Sequence, residues 1–383
     1  MDVLYTQRKD RDRIIDIIKG LGIIMMVYRH AFGWLSEYLL MFHMAIFFIA
    51  SGYLYDSRKC SNIRSALSFF KRKVKSLWMP YVLFNSFFVL IHNILMRLSF
   101  YTNDARFLET GGEARFLILD YYYSKREILQ RVTKTALFQS REQLCGALWF
   151  FECMFIVQLM YGSFDCVIQL VSKKILKEDN QRRLIIQGIW SIVLLIGGYY
   201  LAPVWRATIQ LPRAMQVYIL IWLGECINCY KNRLTISLPL YVLIPGTVLS
   251  IIILYNTFGK ISVAGSAIVN PVVFVVSSIL GWVFIESIAR SIYQLNLRRL
   301  EAMLSCISVN AIWILGLHFF SFKIINLFGV IYYDVDAYYI ASFPVLYKHN
   351  IWAILYTAIG IGLPLLASCC ASGLRRHIKK AVT

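Results

Sequence analysis

Charge is what this chain has least of. Only 16% of its 383 residues are Asp, Glu, Lys or Arg, against 58% hydrophobic and 15% aromatic. Soluble domains run nearer a quarter charged. The shortage excludes a disordered chain and a two-domain soluble enzyme. No repeat, low-complexity tract or Gly-Ser linker divides the chain. Nine scattered cysteines fall mostly within apolar runs and form no disulfide framework; Cys226-x-x-Cys229 has no second pair and no histidine spacing, which argues against zinc.

What the chain has is a succession of apolar runs. Ten segments, roughly 14–35, 38–55, 77–99, 146–171, 184–203, 214–230, 236–257, 267–288, 303–328 and 349–372, approach the length that crosses a bilayer core. They predict an all-α integral-membrane bundle, one domain over 1–383. The first segment follows basic residues without a small-residue cleavage site, so it is expected to be a retained helix. Basic residues outnumber acidic ones by 40 to 21, a net charge of +19. With the N-terminus inside, 26 of the 40 fall on inside segments. The positive-inside rule then predicts both termini in the cytoplasm, and it accounts for the basicity without nucleic acid. The stretch at about 100–145 is expected as an ordered polar loop outside, and the basic amphipathic segment at about 58–76 as a cytoplasmic helix on the membrane surface.

Ionisable side chains inside spans are costly, which makes them functional candidates. Arg29 and His30 lie in the first span, His43 in the second, Glu152 in the fourth, Asn310 and His318 in the ninth. A short turn near Ser36 and Glu37 would set His30 and His43 at one depth, about 10 Å below the turn, with Glu152 near the same layer. A buried neutral histidine can act as a base if another group orients it. Asp16 is fourteen residues from His30, about 21 Å along a helix, so Glu152 is the first choice of partner. The ordinary alternative is an Arg29–Glu152 ion pair beside a structural His30. A lone His43 on an aromatic face is more often structural, and for Asn310 and His318 the residues favour helix joining over lining the same cavity. Glu225 and Glu286 are placed near inner ends, where snorkelling is easy. The run Lys71 to Lys75 either binds phosphates or only enforces topology and touches anionic lipid.

Six runs carry a resemblance. RDRIIDIIKGLGIIMMVYRH is similar to the first helix of the acyltransferase-3 family of integral-membrane acyltransferases, with Asp16 and His30 at the family spacing. FHMAIFFIASGYLY resembles its second helix and FFKRKVKSLWMPY its basic segment leading into Pro-Tyr. GALWFFECMF, with Trp149, resembles its LWFL signature, VNPVVFVVSSILG its Asn-Pro element, and SVNAIWILGLHFF its late serine–histidine element. The six occur in family order. Tyr28-Arg29, Lys75, Ser308 and Ala311 depart from the usual residues. The nearest branch is that of sugar O-acetylases, similar to fucose 4-O-acetylase-type and capsule-modifying enzymes.

The resemblance implies a multi-pass protein of the inner (cytoplasmic) membrane that moves an acetyl group from acetyl-CoA, as co-substrate, to a sugar hydroxyl. The acceptor would be a surface polysaccharide (capsule, O-antigen or exopolysaccharide) or its lipid-linked precursor. No bound cofactor or metal is implied. His30 would act as base, with Asp16 and Glu152 in the catalytic set. Arg11, Arg13, Lys71, Arg72 and Lys75 would hold the acyl-CoA phosphates, and Arg29, His43, Trp149, Asn310 and His318 would line the cavity. A glycan exporter is the alternative function. Its repeated halves are not found, although Pro239 and Pro245 interrupt one span.

Overall fold

The structure is a computed structural model that describes residues 13–109, 118–175, 180–205, 209–230, 239–263, 270–348 and 350–382. Arg11 lies outside the described residues. The regular elements described are helices: α1 (Arg13–His30), α2 (Ser36–Leu40), α3 (Ala45–Tyr53), α4 (Ile63–Lys73), α5 (Met79–Arg97), α6 (Lys125–Ala136), α7 (Trp149–Ile175), α8 (Asn180–Leu201), α9 (Leu211–Tyr230), α10 (Leu240–Phe258), α11 (Pro271–Gln294), α12 (Arg298–Val309), α13 (Ala311–Tyr333) and α14 (Asn350–Val382).

Among the described residues, seven helical stretches are long and apolar enough to cross a membrane: 63–97, 143–172, 180–201, 240–258, 271–294, 311–333 and 351–373. The chain is a multi-pass membrane protein. The three remaining segments of the ten differ for physical reasons. α1 carries Arg13, Asp16, Lys19 and Arg29 in 18 residues. The second segment is broken into α2 and α3, with His43 in the turn between them. α9 buries Arg213 and Glu225 inside the protein. These three are inner elements. α10, by contrast, buries only 11% of its most apolar stretch and presents Tyr241, Leu249 and Ile253 outward, the composition of a lipid-facing helix.

Glycines set how closely the inner helices meet. A side-chain carbon added at Gly52 of α3 would lie 1.9 Å from the Ile221 carbonyl oxygen of α9, and one at Gly224 of α9 would lie 1.9 Å from that of Ile49. Backbone therefore packs on backbone at this crossing, as small residues permit in membranes. Gly20 does the same for α1 against Leu304 of α12.

Local sequence explains the helix starts. Asn270 accepts hydrogen bonds from the amides of Val272 and Val273 while Pro271 occupies the first turn of α11. Asn62 and Ser65 form a reciprocal cap on α4, and Ser124 and Glu127 another on α6. α4 continues through a π turn at Val74–Trp78 directly into α5, so the basic amphipathic helix is an extension of a spanning helix. The ninth segment breaks at Asn310, between α12 and α13.

Two ends of the bundle follow from connectivity. The basic end carries 56–75, the start of α1 and the C-terminal part of α7. The loop end carries the turn 31–44 and the long connection between α5 and α7. That connection folds back onto α5. His92 of α5 is stacked on Tyr123 at 3.5 Å between ring centres and on Tyr101 at 4.7 Å, with its Nδ1 3.3 Å from the Glu142 carboxylate. Asn93 accepts from the Tyr123 amide and donates to its carbonyl.

Candidate active site

Two imidazoles from distant parts of the chain meet at the loop end of α1. His30, the last residue of α1, has its ring centre 5.4 Å from that of His318 in α13, and 4.8 Å from Phe319. His30 is half-buried and His318 is fully buried. His318 Nδ1 lies 2.9 Å from the Ile314 carbonyl oxygen. A carbonyl can only accept, so Nδ1 carries a proton and the neutral ring presents its Nε2 lone pair. That Nε2 has no hydrogen-bond partner among the described residues. An oriented, buried nitrogen of this kind beside a second imidazole can take or relay a proton. Phe319, Phe322 and Phe343 form the surrounding aromatic wall, with Phe319 and Phe343 at 4.8 Å. Gly146, just before the Trp149 helix, lies beside Phe319 and Phe343; a side-chain carbon there would stand in ordinary contact with both rings, at 3.4 and 3.6 Å.

The other sequence candidates lie around this pair. Asp16, one end of the fourteen-residue spacing, is buried at the basic half of α1 and accepts from the Ser308 hydroxyl at 3.2 Å. The departure at Ser308 thus supplies a bond between α1 and α12. Arg29 is buried and pairs with Glu37 at 3.5 Å, above the Phe32 ring, instead of forming the alternative pair with Glu152. His43 places Nδ1 2.8 Å from the carbonyl of Leu39 in its own turn. Glu152, wholly buried in the first turn of α7, accepts from the Gln210 amide at 2.9 Å. Its neighbour Arg213 sits 4.8 Å above the Trp149 ring and donates to Gln210. Glu152, Trp149 and Arg213 therefore form a second polar cluster at the loop end, bonded to the chain before α9. Asn310 donates to the Cys306 carbonyl and accepts from Ser368, joining α12 to α14.

At the basic end, Lys71, Arg72 and Lys75 are all exposed, whereas Lys73 turns inward over Phe69 at 4.9 Å. Arg13 donates to Glu301 at 2.6 Å, so its charge is already matched. Exposed cations with no fixed carboxylate suit a phosphate ligand better than one already paired. Among the described residues no group of three or more His, Cys, Asp or Glu could hold a metal.

Sequence reasoning passed over two buried clusters. Glu225, expected from its position near an inner end to snorkel, is 3% exposed and accepts from both Tyr161 and Arg183. Arg183 also reaches Asp165 at 2.9 Å, and Asp165 accepts from Tyr55 at 2.7 Å. Lys323 of α13 is entirely buried. Its place within an apolar run was the available signal, since a lysine there must have acceptors.

No curated protein and no solved structure matches the chain. The family model for the acyltransferase domain Acyl_transf_3 matches residues 12–377. That match spans α1 through the greater part of α14 and includes both histidines. The chain belongs to the acyltransferase-3 family of membrane acyltransferases.

Proposed function

We propose that the protein is an O-acetyltransferase that moves an acetyl group from acetyl-CoA to a sugar hydroxyl of a surface polysaccharide or its lipid-linked precursor. The observation that supports this reading best is the His30–His318 pair, with the Nε2 of His318 unpartnered in a buried, aromatic-walled site.

The donor would enter from the basic end. The exposed Lys71, Arg72 and Lys75 would hold the phosphates, which are too costly to bury. His30 lies about 25 Å along α1 from Arg13, a distance that the flexible arm of the coenzyme has to cross while its charged head stays in water. At the histidines the sugar hydroxyl oxygen attacks the thioester carbonyl carbon. The new C–O bond forms, the C–S bond breaks, and the hydroxyl proton passes to imidazole and then to the departing thiolate. His30, with the more accessible ring, takes the role of base; His318, fixed by Ile314, orients it or completes the relay. Glu152 and Arg213 offer hydrogen-bonding groups on the loop side, where a polar acceptor would approach. On this reading the protein works in the cytoplasmic membrane with both termini inside.

The test is the acetyl content of the surface polysaccharide. It should fall when the protein is removed, return with the parent protein, and fail to return with His30→Ala at equal membrane abundance. Unchanged acetyl content on removal would refute the reading, and a fall in total surface glycan without a change in its acetylation would favour export.

A further inference from the structure

The segment from Ile340 to Leu346 has no regular helix beyond a short turn, yet each of its residues is buried. Irregular backbone at this depth is tolerated only when its polar groups find partners within the protein. Here the partners come from three side chains. Lys323 Nζ donates to the carbonyls of Ala341 at 2.6 Å and Ser342 at 2.9 Å. Asn326 Nδ2 donates to the carbonyls of Ile340 at 3.1 Å and Ser342 at 2.9 Å, while its Oδ1 accepts from the Leu346 amide at 3.2 Å. Tyr356 of α14 donates to that same Oδ1 at 2.6 Å. Both recorded hydrogen bonds of Lys323 go to backbone carbonyls, so an amine is buried in an apolar helix to hold this strap and not to match a carboxylate.

What the strap holds is Phe343. Its ring lies 4.8 Å from Phe319, and Phe319 in turn touches both imidazoles, at 4.8 Å from His30 and 4.1 Å from His318. Lys323 passes 5.8 Å from the Phe343 ring, so the anchoring amine and the ring it positions are neighbours. The strap joins the loop end, where Phe107 and Ala341 form a small cluster of their own and Arg106 covers Tyr338.

We infer that Lys323 and Asn326 are positioning residues which hold the strap as the loop-end wall of the histidine chamber, with Phe343 as the side chain that closes it to water and shapes the acceptor side. The inference rests on the reading that the two histidines are the working site. A wall at this end separates the acceptor from the solvent, while the coenzyme arm arrives from the opposite end. The strap should therefore govern acceptor use and not donor use.

Carbethoxylation of His318 by diethyl pyrocarbonate, followed by peptide mass spectrometry on the purified, membrane-inserted protein, reads the wall directly. The unpartnered Nε2 should react slowly in the parent because the site is closed. It should react about tenfold faster or more in Phe343→Ala and in Lys323→Met, as expected when a local opening becomes cheap. In transfer assays the same variants should raise the Michaelis constant for the sugar acceptor several-fold and leave that for acyl-CoA unchanged. Phe343→Ala removes no partner from the backbone, so it decides the matter if Lys323→Met fails to insert. His318 reacting at the parent rate in a monodisperse Phe343→Ala protein would overturn the wall. Donor and acceptor constants rising together would overturn its acceptor role. A parent protein without any transfer activity whose His318 is nonetheless unmasked by Phe343→Ala would sink the proposed reaction and leave the wall standing.

Discussion

His30 and His318 separate chemistry from scaffold at the scale of single residues. A lost general base costs on the order of a hundredfold or more, so His30→Ala should lose at least that in transfer rate, measured at equal membrane abundance, with little change in thermal stability. His318→Gln keeps a polar side chain against Ile314 but removes the imidazole lone pair, and should also impair transfer. Glu152 offers a contrast, since its recorded bond is to the Gln210 amide and not to an imidazole. Glu152→Gln keeps an acceptor oxygen for that amide, so transfer should stay within a few-fold of the parent; a collapse comparable to that of His30→Ala would place Glu152 in the reaction. The Asp16 to His30 spacing was legible from the chain. The Ser308 partner of Asp16 was not, because nothing local marks a residue in α12 as the neighbour of the first helix.

Single elements carry the next level of organisation. α4 and the π turn that follows make a basic, amphipathic lead-in to α5, with Lys71, Arg72 and Lys75 facing out. A charge-assisted phosphate contact is worth roughly 1.5–3 kcal/mol. Replacing Arg72 and Lys75 together with Gln should raise the Michaelis constant for acyl-CoA before it affects acceptor use. Donor titration on correctly inserted protein measures this, and an unchanged constant would reduce the segment to a topology signal. α8 and α9 are joined through Arg183, which bridges Asp165 and Glu225. Removing one partner from such a buried network typically costs about 3–5 kcal/mol because a charge is left unmatched. Arg183→Met should accordingly lower the melting temperature in detergent markedly, whereas Arg290→Met should shift it little, because Arg290 is half-exposed and pairs with Glu286 one turn away.

For the whole molecule, hydropathy and internal packing make different demands on the same helices. Among the described residues, seven helical stretches are long and apolar enough to cross a bilayer, while the largely buried α1, α3 and α9 tolerate charge, glycine and breaks. Counting basic residues treats all ten segments alike, and on that count both termini lie inside. Reporter fusions at residues 60, 178 and 379 should all read cytoplasmic. A signal from the other side at any of them would break the ten-span, both-ends-inside topology, and would shift which helices of the inner set cross the bilayer.

The amino-acid sequence by itself determined the class of the protein. Low charge density, repeated apolar runs and the clustering of Lys and Arg are properties of composition and order, and partition into a bilayer depends on little else. The six motifs in family order likewise need no coordinates. Tertiary structure decided which polar groups face each other. A short turn near Ser36 and Glu37 speaks to the depth of His30 and His43 but not to which rings meet; the turn contains α2, and the ring that reaches His30 is His318, brought there by α13. Helix rotation, which hydropathy does not encode, also turned Arg29 to Glu37 and Glu152 to Gln210. Lys323 and Glu225 show the same limit from the other side. Each looks expensive or peripheral along the chain, and only the folded bundle supplies the carbonyls and the guanidinium that make its burial affordable.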